Sequence, residues 1–118
     1  MCIRDSAYPL GGFFHVPHGL SNALVLTEVM KYNQLKADEW YAEIAADMGV
    51  GQTGSSLIDE MLRIKNEARV PQTLSEVNIP GDAIKMMADD AMTKVRLLMN
   101  NPREMTHDAV MKIYETIL

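Results

Sequence analysis

Apolar positions recur with helical spacing through most of the chain. From Gly19 to Asn33, Leu20, Ala23, Leu24, Thr27 and Met30 or Lys31 follow a 3.6-residue period, with Pro17 placed for the first helical turn. Asp38 is a candidate cap for a second helix, in which Trp40, Tyr41, Ile44, Ala45 and Met48 share a face and Gly49 ends the run. "GVGQTGSS" reads as a loop, with Ser55 or Ser56 as the next cap. Leu57, Ile58, Met61, Ile64 and Ala68 then form a third stripe that Pro71 terminates. "VPQTLSEVNIP" reads as a linker with one short turn around residues 75–77.

Pro80 and Asp82 open what the pattern predicts to be the longest helix. Its stripe of Ile84, Met87, Ala88, Ala91, Val95 and Leu98 runs about four turns before "NNP" stops it. Thr106 caps the last helix, where Ala109, Val110, Ile113, Tyr114 and Ile117 face inward and Asp108 lies in the first turn. The expectation is an all-α bundle of five helices joined by short polar or Pro/Gly loops, with no repeats.

Composition agrees. Of 118 residues, 47% are apolar and ten are Met against two Phe and one Trp, a vocabulary that favours helices and is sparse in strand formers. The methionines fall mostly on core-like faces, which reads as core packing; a Met-rich partner groove is the alternative. The length suits a single domain with a core of its own. A net charge of −5 with scattered basic residues argues against nucleic acid as a partner. No apolar run approaches the ~20 residues of a membrane span. The single Cys2 fits a reducing compartment, so the expected location is cytoplasmic.

One segment carries candidate chemistry. "AYPLGGFFHVPHG" places His15 and His18 either side of Val16 and Pro17, in a loop leading into a helix. With Pro17 as the first helical residue, His18 lies in the first turn, beside unpaired N–H groups and the positive end of the macrodipole. That environment favours neutral imidazole, the form a metal requires. Gly11 and Gly12 permit unusual backbone or close approach of a ligand, while Phe13 and Phe14 offer a water-excluding wall. A lone His at a helix start is, however, more often a hydrogen-bonded structural residue than a ligand. His107 reads as a solvated residue of the last helix. Asn101–Glu104 reads as a turn around Pro102, with proximity to an active-site cleft or a surface ion pair of Arg103 as further readings. No HExxH, paired Cys or nearby Asp/His cluster completes a metal site.

"AYPLGGFFHVPHGLSNALVLTEVMKYN" resembles the signature that begins the metal-binding helical part of the iron-containing alcohol dehydrogenases. There a His-x-x-x-Ala-[His/Tyr]-Pro-Leu-Gly element leads into Pro-His-Gly and a long helix. "NNPREMTHDAVMKIYETIL" is similar to that family's C-terminus, so the resemblance spans Ala7 to Leu118. It implies a two-domain NAD(P)-dependent oxidoreductase of the dehydroquinate synthase-like fold. Its all-helical C-terminal domain holds Fe²⁺ or Zn²⁺ through one Asp and three His, and the metal polarises the alcohol oxygen for hydride transfer. His18 matches the last histidine ligand. Tyr8 takes the place of a residue beside the metal, and Phe14 and His15 are candidates for the substrate or nicotinamide side.

The pattern departs from the family four residues before Tyr8, where a ligand is replaced by Arg4. Residues 1–6, "MCIRDS", are read as a non-native leader and 7–118 as a partial C-terminal domain without the dinucleotide-binding domain. The expected function is therefore a fragment of a metal-dependent alcohol dehydrogenase, inactive alone and binding no metal or NAD(P) tightly. The parent is expected to be a homo-oligomer acting on small alcohols and aldehydes. The alternatives are a fragment of a glycerol dehydrogenase or dehydroquinate synthase-like enzyme, and a stand-alone helical interaction module.

Overall fold

A computed structural model describes the backbone of residues 2–118, and the side chains of all of these except residues 2–6 and Leu97. The described residues are helical, without strands. Helix α1 is Cys2–Phe14, α2 His18–Met48, α3 Gly54–Glu67, α4 Ile84–Met92, α5 Val95–Leu98 and α6 His107–Thr116, with 3₁₀ turns at Ser75–Val77 and Gly81–Ala83. Of the expected leader, Met1 lies outside the described residues, as does the side chain of Arg4.

Two apolar clusters divide the packing. The larger joins Ala7 and Leu10 of α1, Leu24, Val25 and Val29 of α2, Met87, Ala88 and Ala91 of α4, and Val110, Ile113 and Tyr114 of α6. The smaller lies between α2 and α3, around Met30, Ala45, Leu57 and Ile58. The all-helical class, the short turn at Ser75–Val77 and the Thr106 cap are as the pattern predicts. Thr106 Oγ1 accepts a hydrogen bond from the Ala109 N–H at 3.2 Å.

Four features differ. First, residues 7–14, to which the apolar pattern assigns no element, are helical. Ala7 and Leu10 are buried and Phe14 packs against the same cluster, an i, i+3, i+7 face that Pro9, Gly11 and Gly12 obscure. Second, the helices expected from Gly19 and from Asp38 are one helix, α2. Gln34–Ala37 contains neither Gly nor Pro and continues the helix through the expected boundary. Asp38 is consequently no cap; its Oδ1 accepts from Gln34 Nε2 at 2.9 Å. Beyond it α2 packs on α3, where Ala45 is buried against Leu57 and Ile58, while Trp40, Ile44 and Met48, read as sharing its face, are exposed.

Third, α3 is capped by Thr53, whose Oγ1 accepts from the Ser56 N–H at 3.2 Å, and not by Ser55 or Ser56. A Cβ at Gly54 would sit 2.2 Å from Asp38 Oδ1 and 3.2 Å from the Asp38 carbonyl oxygen, so a side chain there would have to turn the exposed Asp38 carboxylate away and crowd the α2 backbone. Its stripe is also turned: Lys65 is buried where Ile64 and Ala68 were expected. Fourth, the predicted longest helix is broken between α4 and α5. Thr93 Oγ1 donates to the Asp90 carbonyl at 2.6 Å, a local bond that competes with helix continuation, and Val95 is left exposed. The preceding linker is not a surface strap, because Leu74 and Ile79 are fully buried in the larger cluster.

Candidate functional site

Helix α1 ends at His15, whose φ of 56° is left-handed. The His15 N–H donates to the Gly11 carbonyl at 3.2 Å and the Val16 N–H to the Leu10 carbonyl at 3.3 Å, a turn one residue wider than the one Gly49 makes after α2. Val16 is buried and its carbonyl accepts from the buried Ser21 Oγ at 3.2 Å, which ties the start of α2 to the end of α1. Pro17 then supplies the N-cap residue with extended backbone, and no side chain caps the first turn. His18 is therefore the first residue of α2, one position later than expected but in the same polar setting.

The His18 imidazole is exposed. Its Nε2 lies 3.2 Å from Asn22 Nδ2, within hydrogen-bond distance one turn along α2. The other Asn22 atom, Oδ1, is buried without a partner among the described residues. An orphan acceptor of this kind costs about 1–3 kcal/mol unless a further group donates to it.

Tyr8 lies exposed on α1, with Lys94 Nζ 5.9 Å from its ring centroid. Phe14 packs into the larger cluster, leaving Phe13 as the exposed member of the pair. His15 projects from the turn in contact with solvent. Left-handed backbone disfavours a side chain here, so His15→Gly is expected to raise stability by about 0.5–1 kcal/mol. A lower thermal midpoint for that variant would show that the imidazole itself holds the turn.

Among the described residues no group of three His, Cys, Asp or Glu is placed to hold a metal. His107, expected to be solvated, pairs instead across to α4: its Nε2 is 2.7 Å from Asp89 Oδ1. Hydrogen bonds from Lys85 and His107 hold the Asp89 carboxyl below the usual carboxylate range.

In the loop of Asn101–Glu104, Arg103 is engaged by α2 and not by an ion pair among the described residues. Asn101 and Asn33 exchange side-chain amide hydrogen bonds at 2.8 and 2.7 Å. Arg103 stacks 4.0 Å above the Tyr32 ring and its Nη1 donates to the Tyr32 carbonyl at 3.0 Å, while the Tyr32 hydroxyl donates to the Glu104 carbonyl. Tyr32 and Asn33 thus clamp the loop to α2. The sequence signal was a polar Asn33 at a buried helical position, which must find a partner.

The family model for the C-terminal part of the Fe-containing alcohol dehydrogenases matches residues 3–118. The chain belongs to this family. Lactaldehyde reductase of Escherichia coli (strain K12) is 32% identical over 121 residues, an alignment covering 97% of this chain and 31% of that protein. Long-chain-alcohol dehydrogenase 1 of Geobacillus thermodenitrificans is 33% identical, covering 96% and 30%. The chain thus spans about three-tenths of the length of these curated relatives. Among solved structures, a 1,3-propanediol oxidoreductase superposes with a TM-score of 0.92 at 27% identity, over 99% of this chain and 32% of that one. An iron-containing alcohol dehydrogenase from Thermococcus thioreducens gives 0.87 at 27%, over 98% and 31%. The all-helical arrangement is accordingly that of a C-terminal portion of an Fe-containing alcohol dehydrogenase. No helix among the described residues is long and apolar enough to cross a membrane.

Proposed function

We propose that this chain is the C-terminal helical part of a metal-dependent, NAD(P)-linked alcohol dehydrogenase, in which His18 contributes one ligand to Fe²⁺ or Zn²⁺. The observation that carries the reading is the family match over residues 3–118, with His18 standing exposed at the head of a 31-residue helix. The described residues do not fit a metal on their own, since they bring one imidazole where a tight site takes three or more protein ligands. His18 is proposed as one donor of a set, and no step of the reaction is assigned to this chain alone.

Two observations favour a set completed by other groups: the orphan Asn22 Oδ1 beside His18, and exposed apolar side chains including Phe13, Val95 and Met99. Residues 7–118 are proposed to be a partial domain; of residues 1–6, read from the sequence as a non-native leader, only Met1 and Cys2 lie outside the family match. Tyr8 and His15 are proposed to lie on the substrate side; the packing of Phe14 gives it a weaker claim. The reaction class is oxidation of a small alcohol to an aldehyde or ketone with hydride passing to NAD(P), in a cytoplasmic homo-oligomer. The names of the relatives range from lactaldehyde and 1,3-propanediol to long-chain alcohols, so they do not select a chain length.

The test is the intact gene. Its upstream frame is expected to encode a dinucleotide-binding domain, an Asp-x-x-x-His pair and a His four residues before Tyr8. The purified product is expected to reduce NAD(P) with short alcohols and to lose that activity on chelation. An upstream frame lacking those ligands, or activity indifferent to a chelator, would overturn the reading.

A further inference from the structure

Between α2 and α6 lies a groove of about 440 Å³, remote in chemistry from the histidine segment. Tyr32, Ala109 and Ile113 supply its apolar lining, and Arg103 and Lys112 its uncommitted charge. We propose that this groove binds a small organic carboxylate through Arg103 and Lys112. The inference does not rest on the dehydrogenase reading.

Arg103 is held before any ligand arrives. Stacking on Tyr32 and the bond from Nη1 to the Tyr32 carbonyl fix the guanidinium plane, while Nε and Nη2 have no partner among the described residues. A fixed planar fork with free donors suits two-point pairing with a carboxylate, and its ordering entropy has already been lost on folding. Lys112 Nζ is likewise without a partner among the described residues, and its stem lines the same groove.

Charge decides which anion fits. The chain carries −5 overall, yet here Glu28 is neutralised by Lys31 at 2.7 Å. That leaves Arg103 and Lys112 against the single carboxylate of Asp108. Behind the wall, Lys65 is buried between α2 and α3 with Nζ donating to Thr27 Oγ1 at 3.3 Å. Burial pushes its ammonium down, with Glu28 opposing this and Lys31 adding to it, and Lys65 does not line the groove, so it is left out of the charge count. One surplus positive charge beside an aromatic and aliphatic floor matches a monoanion with an apolar body better than a phosphate dianion.

The whole chain would be titrated with 3-phenylpropanoate, and separately with 3-phenylpropanol and inorganic phosphate, following backbone amide shifts. Saturable shifts at Tyr32, Arg103 and Lys112 are expected, with the carboxylate binding at least about fivefold tighter than the alcohol and tighter than phosphate. Lys112→Gln, an exposed change that leaves the core intact, is expected to weaken binding about threefold to fivefold. Glu28→Gln, which frees Lys31, is expected to tighten it about twofold. No saturable shift, equal binding of the alcohol, preference for phosphate, or a Lys112→Gln variant that binds as before would each overturn the proposal.

Discussion

Replacing His18 by alanine in the intact parent enzyme is expected to abolish stoichiometric metal binding and lower kcat/KM by about three orders of magnitude or more. The scale follows from chemistry: even the residues that only orient a metal ligand are worth ~10–100-fold, and a ligand itself is worth more. The loss should not come from unfolding. His18 is exposed, its one hydrogen bond among the described residues is with Asn22 at 3.2 Å, and it caps nothing in the first turn of α2. Far-UV circular dichroism and the thermal midpoint of the metal-free protein should therefore match the parent, while metal analysis after desalting shows the deficit. Full metal content and normal turnover in His18→Ala would remove the basis for assigning this chain any part of the site.

Leu74→Ala is expected to destabilise the chain by about 2–5 kcal/mol, the range for truncating a large buried aliphatic side chain. Against a total stability of roughly 5–15 kcal/mol this approaches the whole margin. Leu74 is fully buried although it sits in the segment that looks like a linker. Its backbone N–H donates to the Ile117 carbonyl at 2.7 Å, and Ser75 Oγ donates to the Leu118 carbonyl at 2.6 Å, so the segment also anchors the end of α6. With a urea dependence of ~1–3 kcal/mol per molar, the unfolding midpoint should fall by about 1 M or more. A surface linker would instead show a change within about 0.5 kcal/mol.

These two positions show unequal legibility. The place of His18 at the start of a helix was legible because Pro17 and the helix behind it leave a local signature, and the family was legible in the Pro-His-Gly element, as the match over residues 3–118 shows. Leu74 was not, since one Leu and one Ile spaced irregularly among Pro, Ser and Asn give no period to read. Helix α1 was missed for a related reason: Pro9, Gly11 and Gly12 each argue against a helix locally, yet burial of Ala7 and Leu10 against α2 and α4 outweighs them. The clamp of Asn33 and Tyr32 on the Asn101–Glu104 loop joins residues about seventy positions apart, beyond the reach of any local pattern.

By itself the sequence determined the all-helical class, the turn at Ser75–Val77, the caps at Gly49 and Thr106, and the polar setting of His18. All of these depend on interactions within one or two helical turns, where side-chain type and spacing leave few choices. The structure shows two predicted helices running on as α2 and α4 stopping short at Thr93, outcomes with local causes that the sequence reading weighed wrongly. The tertiary structure alone decided that Trp40, Ile44 and Met48 face outward and that Lys65 and Leu74 are buried. Those outcomes depend on which neighbour covers which face, and burial energy is a property of the pair in contact, not of either stretch alone.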